Sequence, residues 1–100
     1  MFDHALVFNQ DISGWNTENV DSMYAMFQHA EAFDQDLSAW FVAGVGNGMF
    51  QNMFNSAYSL SSCNKNKINM AWSGQNVYWP YTGPWSGFAC PPSPPIAPPP

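Results

Sequence analysis

The segment Met1-Phe2-x-His4-Ala5-x-x-Phe8-Asn9-Gln10-Asp11-Ile12-Ser13-x-Trp15 returns as Met26-Phe27-x-His29-Ala30-x-x-Phe33-Asp34-Gln35-Asp36-Leu37-Ser38-x-Trp40, at a constant offset of 25 residues. A third, degraded copy begins at Met53-Phe54-Asn55-Ser56-Ala57. A unit this short cannot bury its own apolar side, so copies shelter one another by stacking, and self-similarity at such a period marks a solenoid. Val20 answers to Val45 and Met23 to Met49, and two extra residues fall between Val45 and Met53, where a bulge or loop is expected. Met1 coincides with the methionine that opens each copy, which is the pattern expected of a fragment or of a start placed part-way through a unit.

Within a unit, Val20, Met23, Met26, Phe27 and Ala30 fall on one face at helical spacing, with Asn19 or Asp21 available to cap the start. After Phe33 that period is lost, and Leu37 and Trp40 become the apolar anchors, as Ile12 and Trp15 are in the first copy. A turn at 34–36 and a short strand over 37–41 are predicted there. The expected fold is thus an α/β solenoid, a leucine-rich-repeat-like stack of short parallel strands and short helices with a C-terminal cap. Its repeated core is Met1, Phe2, Ala5, Phe8, Ile12, Trp15, Val20, Met23, Met26, Phe27, Ala30, Phe33, Leu37, Trp40, Met53 and Phe54.

The organisation that follows is repeat units over 1–60 (1–25, 26–52 and an incomplete 53–60), a cap over 61–90 and a proline-rich linker over 91–100. A helix is predicted within 63–74, capped by Asn64 and stopped by Gly74. The aromatic stretch Val77 to Trp85 has no counterpart in the repeat and suits the covering of a final apolar face. Proline fixes its own φ and lacks an amide hydrogen, so the last ten residues read as an extended spacer of roughly 30 Å.

Charge narrows the function classes. Lys65 and Lys67 are the only basic residues besides two histidines, and the net charge is -5. So few cations cannot neutralise a run of phosphates, which excludes nucleic acid as a partner. The same shortage argues against attachment to anionic lipid, and no apolar run is long enough to span a bilayer, so no direct membrane insertion is expected.

Few residue sets bear on chemistry. Cys63 and Cys90 bracket the cap; joined, they close a loop of roughly 28 residues, which contributes on the order of 3 to 4 kcal/mol. Such a bond points to an oxidising, extracellular or cell-surface setting, and two unpaired thiols are the alternative. His4 and His29 occupy equivalent positions, as a metal pair or as solvent-facing residues. Asp11, Asp34 and Asp36 recur in loops, where their oxygens serve either calcium or Asx-turns. Trp15 and Trp40 suit core packing better than sugar stacking. The non-repeated Tyr78, Trp79, Tyr81 and Trp85 are the better candidates for an exposed binding surface. No nucleophile elbow, phosphate loop or metal-ligand spacing is present, so neither an enzyme nor a cofactor is expected.

The wording Phe8-Asn-Gln-Asp-Ile-Ser-Gly-Trp-Asn-Thr-x-Asn-Val20, with Met23-x-x-Met26-Phe27-x-x-Ala30-x-x-Phe33, resembles the unit of the BspA-type leucine-rich-repeat-like surface proteins of bacteria, mycoplasmas and algae. The resemblance covers about 1–60 and continues loosely through Cys63-Asn64-Lys65 and Trp79-Pro80-Tyr81. It implies a cell-surface or secreted domain used for adhesion or for binding a protein or glycan, with no catalytic residues to carry over. Phe41 and the run Gly44 to Gly48 depart from the usual wording. Three expectations follow: a non-catalytic binding module presenting Ser13, Asn16, Ser38 and Ala39 or the aromatic cap; an architectural wall component; and a calcium-stabilised solenoid. Self-association through an uncapped N-terminal coil is a further expectation.

Overall fold

The computed structural model describes residues 2–90; Met1 and the proline-rich segment 91–100 lie outside the described residues. Equivalent residues of the repeated segments lie one above another. Phe2, Phe27 and Phe54 form a file of parallel rings with centroids 5.4 and 5.5 Å apart. Phe8 stacks on Phe33 at 5.9 Å, Trp15 on Trp40 at 6.4 Å and His4 on His29 at 4.6 Å. Each phenylalanine or tryptophan pair adds about 0.5–1.5 kcal/mol beyond simple burial, so the files help to set the register between layers.

The backbone does not follow the expected elements. Among the described residues there is one helix and no strand, hence no sheet, and the molecule is not an α/β solenoid of parallel strands. Hydrogen bonding explains why. The amides of Met23, Ala25, Phe27 and His29 donate to the carbonyls of Met49, Gln51, Met53 and Asn55 in the next layer, at 2.8–2.9 Å. The intervening amides of Met26, Gln28 and Ala30 instead donate three residues back, to Met23, Ala25 and Phe27. A residue therefore sends its N–H to the neighbouring layer and keeps its C=O for its own. A β-ladder needs both groups directed at the same neighbouring strand, so none forms.

The predicted helix over 20–30 is absent for a related reason. Ala25 (φ 51°) and His29 (φ 58°) sit in the left-handed region, as do His4, Asn52 and Ser56 at matching places. One such residue in each four breaks the run of right-handed dihedrals that i→i+4 bonding requires. What forms is a ribbon of overlapping turns. Its near-four-residue period still buries Met23, Phe27 and Ala30, the residues assigned to the helix's inner face. The predicted strand over 37–41 is likewise a turn, closed by the Trp40 amide on the Leu37 carbonyl at 3.0 Å.

The register also corrects one equivalence. The Met23 amide reaches Met49 O as the Phe27 amide reaches Met53 O, which places Met23 opposite Phe50 rather than opposite Met49. Burial agrees, since Phe50 is 1% exposed and Met49 37%. The two additional residues are thus taken up by the turn Gly46-Asn47-Gly48-Met49, where Gly48 adopts a φ of 77°.

The one helix, α1 (Ser62–Ser73), is capped by Ser61, whose hydroxyl accepts the Asn64 amide at 3.1 Å; the cap is therefore not Asn64. Ile68, Asn69 and Trp72 form its buried side. Trp72 carries the helix into the repeat's own pattern. Its ring stacks on Trp40 at 6.3 Å, continuing the file from Trp15. Its indole N–H donates to Leu37 O at 3.1 Å, just as that of Trp40 donates to Ile12 O at 2.9 Å. A helical residue thus fills the third tryptophan place that the degraded copy lacks.

Behind Trp72 the cap closes on polar contacts as well as apolar ones. Gln75 accepts the Val42 amide and donates to Trp40 O, and Asn76 donates to Val42 O and Val45 O. Within the layers, Thr17 performs the same service for both backbone groups of Phe41. Among the described residues no buried side-chain nitrogen or oxygen lacks a partner, the condition under which polar groups are tolerated in so thin a core. Cys63 and Cys90 form a disulfide that ties the start of α1 to the end of the described chain.

Candidate functional site

The aromatic residues singled out from the sequence divide sharply. Trp79 and Trp85 are 4% and 6% exposed and belong to the interior of the cap, where Trp79 meets Trp72 edge-on at 4.9 Å and Trp85 at 5.6 Å. The Trp79 indole donates to Asn69 Oδ1 at 2.8 Å. Tyr81 is half-buried, and its hydroxyl accepts the Phe54 amide at 3.2 Å. Burial holds the Tyr81 phenol above its usual range, opposed by that amide. Only Tyr78, 48% exposed, presents a face to solvent.

Tyr78 borders an open cavity of about 340 Å³ lined by Asn47, Gly48, Phe50, Gln51, Tyr78 and Pro80. Each wall is held by the architecture just described. The Tyr78 amide donates to Asn76 Oδ1 at 2.8 Å, and Asn76 is itself clamped on Val42 O and Val45 O. Phe50 forms the floor and packs edge-on against Trp79 at 5.2 Å. The two-residue insertion supplies Asn47 and Gly48, and nothing lies within 4 Å of where a Gly48 Cβ would stand. The lining carries two primary amides, one phenol and no carboxylate, ammonium or imidazole. Such a set can donate and accept hydrogen bonds and offer an aromatic face, and the Tyr78 phenol is its one group of acid–base character.

The other candidates are occupied with structure. The Asp11 carboxylate accepts both the hydroxyl and the amide of Ser13, which holds its pKa below the ordinary range. Asp36 accepts the Ser38 amide at 2.9 Å in the same kind of turn. Asp34 accepts the Ser61 amide and the Asn64 side chain, and Asn9 accepts the Asp34 amide, so this file of side chains ties layer to layer. The three aspartates proposed for calcium therefore spend oxygens on the backbone, and among the described residues no cluster of three His, Cys, Asp or Glu is arranged to hold a metal. His4 and His29 stack at a left-handed corner, with Asp3 against His4 Nδ1 at 2.8 Å. Ser13, Asn16, Ser38 and Ala39 line turns, and there is no sheet face for them to occupy.

Asn47, Gln51 and Pro80 were not among the site residues expected from the sequence. The length mismatch between copies, read together with Gly46-Asn47-Gly48, is the signal that places an exposed loop there.

No curated protein and no solved structure matches the chain. A family model described as "Mycoplasma protein of unknown function, DUF285" matches residues 1–78, from the first repeat through α1 to the rim of the cavity. With more than half of its length matched, the chain belongs to the DUF285 family.

Proposed function

We propose that the protein is a non-catalytic cell-surface or secreted module that binds a protein or glycan partner in adhesion. The observation that carries this reading is the division of its polar groups. Asp11, Asp34, Asp36, Asn69, Gln75 and Asn76 are all engaged in holding backbone or one another, while the open cavity beside Tyr78 is lined by neutral amides and an aromatic ring. Binding needs only such a surface; catalysis would rest on the Tyr78 phenol alone, with no carboxylate, imidazole, ammonium or thiol in the lining to activate it. The Cys63–Cys90 disulfide supports an oxidising compartment. The resemblance of Phe8 to Phe33 to the BspA-type unit supports adhesion as the purpose.

The full chain, with its fold verified by near-UV circular dichroism, is immobilised and presented with a broad glycan array and with extracellular-matrix proteins. Saturable binding to at least one, with the ligand recovered chemically unchanged, is the expected result. Binding to none of them, or conversion of a bound ligand, would contradict the proposal.

A further inference from the structure

We infer that the cavity beside Tyr78 is a subsite for a neutral saccharide, continued along the molecule by Tyr24; this rests on the binding reading above and names its ligand class. Tyr24 and Gln51 are related by the layer register. The amides of Met23 and Ala25 donate to Met49 O and Gln51 O, so Tyr24 stands in one layer where Gln51 stands in the next. Both are exposed: Tyr24 stands between the buried Met23 and Ala25, and Gln51 follows the buried Phe50. Tyr24 is 53% exposed. Tyr24 thus stands one layer from Gln51, which lines the cavity together with Asn47 and Tyr78.

That arrangement matches the two-sided chemistry of a pyranose. The C–H face of a sugar ring is apolar and rests on an aromatic face, whereas its hydroxyls need groups that both donate and accept. The Asn47 and Gln51 amides supply both functions in one side chain. Nothing stands within 4 Å of the Gly48 Cβ position, which leaves room there for a ring resting on the exposed Tyr78. A neutral ligand is specified by what is missing from the lining, which has no ammonium or guanidinium for a sulfate or carboxylate. The net charge of -5 opposes anionic glycans at longer range. The cavity admits one or two rings and is too small to serve as the centre of a stable protein interface.

The test is an ¹⁵N-correlated NMR titration of the full chain with four neutral hexasaccharides, the cello-, malto-, manno- and N-acetylchito- series, and with a heparin hexasaccharide as the anionic arm. We expect saturable shifts of the Asn47 and Gln51 side-chain amides with at least one neutral hexasaccharide, and weaker ones with heparin. Tyr78→Ala and Gln51→Ala should each lower affinity about tenfold, while Tyr58→Ala, at an exposed site elsewhere, should not. Unchanged backbone spectra establish that the variants fold. Silence of all four neutral probes, stronger binding of heparin, or indifference to Tyr78→Ala would each overturn the inference. Silence here together with a protein ligand on the array would remove the saccharide subsite and leave the binding function standing.

Discussion

Left-handed residues decide how each layer turns, and only one of them is glycine. His4, Ala25, His29, Asn52 and Ser56 hold φ between 51° and 63°. An L-residue in that region costs roughly 1–2 kcal/mol, and most when Cβ is branched. His29→Val should therefore lower stability by about 1–2 kcal/mol in urea titration, whereas His29→Gly should be neutral or stabilising. Equal losses for the two would show that the histidine stack, not the backbone, dominates the position. At Tyr81 the sign with pH is fixed by burial. A phenol whose pKa is raised on folding contributes stability below its unfolded value of 10.0, and that contribution is lost as pH rises through the folded value. Tyr81→Phe should cost about 1 kcal/mol at neutral pH, since the Phe54 amide loses its acceptor. It should also flatten the alkaline fall in stability, which parallel denaturation series at neutral and alkaline pH would reveal.

At the scale of elements, α1 is the clearest local success of the chain's chemistry and depends on contacts from outside itself. Its Ser61 cap receives the Asn64 amide, while the Ser61 amide is held by Asp34. Ser61→Ala should cost about 1 kcal/mol in thermal or chemical unfolding. Reducing the Cys63–Cys90 bond should cost about 3 kcal/mol by the chain-entropy argument, and a negligible shift in midpoint would show that the cap closes without it. The sequence made α1 legible to within a few residues because its composition and glycine stop agree, although the cap lies at Ser61 rather than Asn64. It misled over 20–30 because apolar residues spaced by four satisfy both a helix and a four-residue turn ribbon, and Ala25 and His29 give no outward sign of positive φ. The strand expected over 37–41 failed for want of backbone pairing, which apolar spacing does not encode. The cavity was legible through Tyr78 and the two-residue insertion; Trp79 and Trp85 looked equally suited to a surface until their burial under the last layer was seen.

For the whole molecule, what holds the layers in register is the continuity of its files. The phenylalanine file was readable from the repeat itself. The tryptophan file was not, because Trp72 lies in a helix of unrelated sequence and enters the series only through space. Its ring and indole N–H reproduce those of Trp40 one layer on, and Gln75 and Asn76 close the edge beside it. This is how a chain with a degraded third copy ends its apolar core. The direct test is a double-mutant cycle with Trp40→Phe, Trp72→Phe and the pair, read by equilibrium urea unfolding. Stacked neighbours in one file should show a coupling of about 0.5–1.5 kcal/mol. Strict additivity of the two losses would contradict the assignment of Trp72 as the third member of the file.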